Sequence, residues 1–249
     1  MTTIDQNTDH DLIVLNDSAY DLAQPVPAGD GRPEPDAGKA RWPLFGILAG
    51  VNGLVSSFMI LGSGITEEDA QKGVEVVGEL QRGNFRIGAI LGMISIGFLF
   101  VTVAAWRRWL EKIAPDDLAA RTIPTALSGI PILNVFFISM AATLVLYLPG
   151  GTDHGWLSDD ALFVNFSMLD FGPLLGWWGA MVAAIALTVM AFGSNPHIPR
   201  WMGFFSIAML LLPVATFLGM GLPGLPGFFG PIWLVVISLS QLFGKTTNA

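Results

Sequence analysis

The sequence predicts an all-α integral membrane protein, a six-helix transmembrane bundle with both termini in the cytoplasm. Three observations carry that prediction. Hydrophobic residues make up 52% of the 249-residue chain and charged residues only 13%, half the usual share of about 25% in a soluble domain. The charges are clustered, so that residues 42–66, 87–106, 122–152, 171–196 and 201–244 contain no Asp, Glu, Lys, Arg or His. Lysine and arginine are distributed asymmetrically about those runs.

A hydrocarbon layer about 30 Å thick needs roughly 20 helical residues. Each of the first four runs therefore holds one span, and the fifth is long enough for two. Its middle reads Gly221-Leu222-Pro223-Gly224-Leu225-Pro226-Gly227, a set of helix breakers that makes a tight turn. The expected spans are 42–65, 87–106, 124–147, 171–193, 202–221 and 228–243. Prolines at 131 and 213 are weak break points within spans three and five. With the N-terminus inside, nine basic residues (Arg32, Lys39, Arg41, Arg107, Arg108, Lys112, Arg121, Arg200, Lys245) face the cytoplasm, and only Lys72, Arg82 and Arg86 lie outside. That is the asymmetry of the positive-inside rule. Trp42, Trp106, Trp109, Trp201 and Tyr147 fall near span ends, where amphipathic rings favour the interface.

Residues 1–41 read as an acidic, disordered cytoplasmic tail rich in Pro and Gly, with eight acidic groups before Lys39 against Arg32 alone. They lack the basic start and apolar core of a secretory signal. Residues 245–249 form a short cytoplasmic end. The net charge is −8, and no basic stripe suggests nucleic acid. The chain has no cysteine, which excludes disulfides, thiolate metal sites and cysteine nucleophiles. In the first outer loop, Thr66-Glu67-Glu68-Asp69 resembles a helix start, and Ala70, Val74, Val77 and Leu80 or Gln81 follow at helical spacing. This predicts a short amphipathic helix lying on the outer surface, either as a lid packed on the bundle or as a gate or partner contact.

Intramembrane polar groups are the functional candidates. Asp170, at the outer start of span four, is the nearest to an intramembrane charge. Inside the bundle it would be a carboxylate of raised pKa, able to carry a proton; at the interface it would be a helix-start acid favoured by the dipole. Asn134 and Asn52 lie mid-span and could hydrogen-bond across helices or share a pocket with Asp170. Arg86 could pair with Asp170 or Glu79, and Asn165 belongs to the same segment as Asp170. His154 stands among Asp153, Asp159 and Asp160, but a metal site needs more histidines on the same face, so no metal and no cofactor is expected. Phosphate loops, dinucleotide fingerprints and the HExxH and GxSxG patterns are all absent. Glycine pairs four apart, Gly46 and Gly50, Gly88 and Gly92, Gly172 and Gly176, allow close helix approach, within the bundle or across a homodimer.

Gly83-Asn84-Phe85-Arg86-Ile87-Gly88, Val164-Asn165-Phe166-Ser167-Met168-Leu169-Asp170, Ile198-Pro199-Arg200-Trp201-Met202-Gly203 and Gly227-Phe228-Phe229-Gly230-Pro231 resemble an uncharacterised family of bacterial six-span membrane proteins. The family has a Pro-Arg-Trp turn before its fifth span. At the last span this chain departs from it, because the aromatics precede the glycine and proline. The resemblance implies a multi-pass protein of the plasma (inner) membrane and no particular activity. Three functions stay open: a non-enzymatic accessory or scaffold subunit, or binder of a lipid or small apolar molecule; a secondary transporter using Asp170 as proton or ion site; and an intramembrane enzyme acting on a lipid or isoprenoid.

Overall fold

The computed structural model describes residues 41–62, 69, 71–169, 172–193 and 198–244. Among these the chain is helical, with no strand. The helices are α1 (Pro43–Leu61), α2 (Arg82–Ile113), α3 (Leu118–Tyr147), α4 (Asp159–Leu169), α5 (Gly172–Leu175), α6 (Trp178–Phe192), α7 (Arg200–Met220) and α8 (Pro226–Phe243), with a 3₁₀ helix at Gly73–Glu79 between α1 and α2. Six apolar segments are long enough to cross a membrane, α4 to α6 counting as the fourth.

The bundle is built on α1. It packs along α2 on one side and α8 on the other, while α3 packs on α2 and α6, and α7 on α6. Glycine is what lets these helices close up. A methyl group placed on Gly50 would lie 2.7 Å from the Pro231 carbonyl oxygen of α8, and one on Gly88 would lie 2.7 Å from Ile60 of α1. Gly46 meets Ser238, Gly92 meets Ile138, Gly172 meets Phe137 and Gly176 meets Asn134. All six glycines of the predicted packing pairs are thus covered by other elements of the same chain.

Two serines complete the α1–α2 contact. Ser56 Oγ of α1 donates to the Gly88 carbonyl of α2 at 2.7 Å, and Ser95 Oγ of α2 donates to the Ala49 carbonyl of α1 at 2.7 Å. Both serines are buried. The exchange is reciprocal because the helices run antiparallel: seven residues separate the two contact points on each helix. Seven residues is close to two turns, so both contacts fall on one face.

Local chemistry sets the ends. Asp117 accepts from the Ala119 amide at 2.7 Å and caps α3. Gly221, at φ +67°, ends α7 with its amide on the Phe217 carbonyl and the Leu222 amide on that of Thr216; the i to i−4 bond from a left-handed residue is the αL cap that glycine favours. The turn predicted over 221–227 is therefore present but shorter, 221–225, with Pro226 and Gly227 already in α8, and the Trp178 indole fastens it by donating to the Pro223 carbonyl.

Several expectations change. Pro131 and Pro213 break nothing, since α3 and α7 run through them; packing holds a helix together across one missing backbone bond. The fourth segment begins at Asp159 and is interrupted at Gly176 and Trp177, where a single span over 171–193 was expected. Between α1 and α2 the helix is 3₁₀. Its Val76 and Val77, with Leu80, are buried against the bundle, which is the lid alternative. The capping residues Thr66, Glu67 and Glu68 lie outside the described residues. Lys72 donates to Asp69 at 2.6 Å and Glu79 at 2.8 Å, and these bonds raise its pKa above the ordinary lysine value, the Asp69 bond most. A raised lysine pKa stabilises at every pH below the ordinary value and is lost only as pH climbs through the raised one, so this clamp is constant across neutral pH.

Replacing Ser56 or Ser95 by alanine should each lower stability by about 1 kcal/mol, the scale of interhelical hydrogen bonds in membranes. Gly92→Leu should cost several times more, because Ile138 and Ser56 already fill the space. Denaturant unfolding in detergent micelles, followed by circular dichroism, measures both. Unchanged midpoints for all three variants would contradict this packing.

Candidate functional site

Apolar helices in lipid should hold few polar groups, so the buried ones mark where the bundle differs from a plain packing core. Asn134 of α3 is 6% exposed. It faces Gly176: a methyl group there would lie 2.5 Å from Asn134 Oδ1. The side chain therefore fills the gap where the fourth segment is interrupted. Ser56 and Ser57 of α1, Ser95 of α2 and the ring of Trp177 line the same space, with Gly53 and Gly92 between them. This is a polar seam at the meeting point of α1, α2, α3 and the interruption. It is closed: the free volume open to the centre of a water molecule is ≈ 10 Å³, about what one water needs.

The other predicted residues do not join it. Asn52 is half-buried and donates to the Leu48 carbonyl of its own helix at 2.7 Å. Asn165 donates to the Met140 carbonyl at 3.2 Å and ties α4 to α3. Arg86 is exposed, and Glu79, one of its two expected partners, is held by Lys72. Asp170, His10 and His197 lie outside the described residues; Leu169 and Gly172, on either side of Asp170 and Phe171, are buried. His154 is exposed, its Nδ1 3.3 Å from the Tyr147 carbonyl oxygen. Among the described residues no group of three His, Cys, Asp or Glu is arranged to hold a metal.

Two of the aromatic positions are corrected. Trp106 and Trp109 sit near the end of span two as expected, but inside the bundle, 0% and 7% exposed. They stack edge-on at 5.4 Å, with Trp42 at 6.1 and 6.2 Å from them. Their indole N–H groups and Ser238 Oγ have no hydrogen-bond partner among the described residues. Indole area outweighs a single donor when packing against other rings is available. Trp201 is exposed, as an interfacial ring should be.

Sequence reasoning missed the serines and one further pair. Trp233 Nε1 of α8 donates to Ser206 Oγ of α7 at 2.8 Å, both fully buried. A usable signal existed: Ser56, Ser57 and Ser95 each follow a helix-packing glycine by three or four residues, and so share its face.

A wider opening lies elsewhere. Between α6 and α7 runs a lateral groove of ≈ 460 Å³, lined by Ile185, Thr188, Val189, Ile207, Leu210, Leu211, Val214 and Ala215. It forms because α7 is the most loosely held span, with 22% of its apolar window buried against 61% for the fourth segment. Thr188 brings the one hydroxyl, and it is spent on the Ala184 carbonyl of its own helix. The groove can hold an apolar body and offers it no polar anchor.

No family model matches the chain, and neither a curated protein nor a solved structure matches it.

The absence of cysteine makes single-cysteine labelling clean. Asn134→Cys should resist a water-soluble maleimide in the folded protein and react only after denaturation, whereas Trp156→Cys, at a position 82% exposed, should react at once. Rapid labelling at 134 would mean that the seam opens to water.

Proposed function

We propose that the protein is a non-enzymatic membrane component that holds a lipid or small apolar molecule in the groove between α6 and α7. The single observation that carries this is the contrast between the two spaces: ≈ 460 Å³ of apolar groove open sideways and ≈ 10 Å³ of polar seam closed inside. Ligand sites of drug size run from roughly 300 to 1,000 Å³ and are mostly apolar. The groove offers a partner helix no free polar group, Thr188 being spent on its own helix, so a scaffold role through such a helix is the weaker form of this reading. A homodimer through the six glycines draws no support from the packing, since each is already covered.

Cytoplasmic termini and a bacterial plasma-membrane location, with the family resemblance behind them, belong to the same proposal. Their support is the distribution of Lys and Arg. Arg108→Cys should then label in intact cells only after permeabilisation, and Trp156→Cys without it; the reverse pattern would overturn the orientation.

The transporter reading has one observation in its favour. The fourth segment is interrupted beside Asn134, and transport sites are typically built at discontinuous helices near mid-membrane. Asp170→Asn should abolish proton-coupled uptake if that reading holds and leave growth and stability unchanged if it does not. The lipid- or isoprenoid-modifying enzyme would need titratable partners for Asp170, and the buried polar residues described are Ser, Thr, Asn and Gln, none able to carry a proton at neutral pH.

A photoreactive fatty acid, cross-linked in membranes and mapped by peptide mass spectrometry, should label Ile185, Val189 and Leu211 above other lipid-facing residues such as Phe100 and Phe136. Leu211→Trp should lower that labelling severalfold by filling the groove. Even labelling over all exposed apolar positions would contradict the proposal.

A further inference from the structure

α2 has 32 residues and is therefore about 48 Å long, well beyond the roughly 30 Å of a hydrocarbon layer. Its charge-free run ends at Trp106. The seven residues from Arg107 to the end of the helix thus stand in the headgroup layer, as does the start of α3 beside them. Between these two helix ends lies a cleft of ≈ 200 Å³ lined by Arg107, Glu111, Pro115, Arg121 and Thr125 over a floor of Leu110 and Ala114.

The cleft's charges are arranged rather than scattered. Arg121 Nε and Nη2 both donate to the Pro115 carbonyl, at 3.1 and 2.8 Å. That fork fixes the guanidinium plane and leaves its Nη1 donors for something else. Asp116 is 4.0 Å from Nη2 and fully exposed, a contact worth little. Arg107, on the facing helix, is exposed and makes no hydrogen bond or ion pair among the described residues. Glu111 supplies one carboxylate, so the lining carries a net charge of one positive unit: two arginines less one glutamate. Guanidinium groups match phosphate oxygens geometrically, and a carboxylate beside them accepts from a hydroxyl or ammonium.

We propose that this cleft binds the headgroup of a membrane phospholipid, the phosphodiester between Arg107 and Arg121 and the polar end of the head alcohol on Glu111. Its depth selects a lipid over a soluble phosphate, because the acyl chains can stay in the bilayer while the phosphate reaches the arginines. The inference is independent of the α6–α7 groove and of any ligand held there.

The test is native mass spectrometry of the full chain in detergent, titrated with phosphatidylglycerol, with phosphatidylcholine of the same acyl chains, and with glycerol 3-phosphate. Phosphatidylglycerol should bind in preference to phosphatidylcholine, whose quaternary ammonium cannot donate to Glu111. Arg107→Gln should weaken phosphatidylglycerol about tenfold, the lower end for a charge-assisted bond at an exposed site. Arg108→Gln, which removes the same charge one residue outside the cleft, should leave it unchanged. Arg121→Gln can disturb the α2–α3 turn, which is why Arg107 carries the test. Equal binding of both lipids, equal effects of the Arg107 and Arg108 variants, or binding of glycerol 3-phosphate as tight as the lipid would each overturn the proposal.

Discussion

The close approach of α1 to its neighbours is the constraint on which the rest of the bundle depends. In lipid there is no hydrophobic drive to bring helices together, so packing and interhelical hydrogen bonds must do it. Here glycine brings backbones near enough for serine hydroxyls to reach carbonyls on the opposite helix. Ser56 to Gly88 and Ser95 to Ala49 bind α1 and α2 at two points two turns apart. Gly46 and Gly50 on another face of α1 admit α8. Once α1, α2 and α8 are fixed, Trp177 is wedged against Gly53, and the position of the fourth segment follows.

That tight centre explains both the closed seam and the loose edge. Asn134 fills the interruption of the fourth segment, and Ser56 and Ser95 spend their hydroxyls on backbone carbonyls, which leaves about one water's room in a polar interior. α7 lies outside this set. Near its start it is held by Met202, Gly203 and the Ser206–Trp233 bond, and beyond Ser206 only Pro213 is buried. Its remaining faces, Leu211, Leu218 and Met220 among them, are left to the membrane. The apolar groove is the consequence of a helix anchored at one end.

Charge-free length made the six spans legible in the sequence, and the breakers at 221–227 made the last turn legible. These are properties of composition, and composition survives without knowledge of contacts. The direction in which a side chain points does not. Asn52 and Asn134 look alike as mid-span asparagines, yet one bonds its own helix and the other fills the interior. Trp106 and Trp109 carry the signature of interfacial rings and are buried, because Trp42 and each other's rings present them with a packing surface. Pro131 looked like a break, but its neighbours keep α3 continuous. Arg107 and Arg121 read only as inside-facing charge; their meeting across one cleft depends on the α2–α3 turn.

We propose that the protein works by holding an apolar molecule within the membrane. Native mass spectrometry of the chain, extracted gently from the membrane in which it is made, tests it most directly. The expected result is a discrete added mass of lipid or small-molecule size, retained at near one per chain and lost when the groove is filled by substitution. A bare chain, or a stoichiometric companion protein with no small molecule, would contradict it.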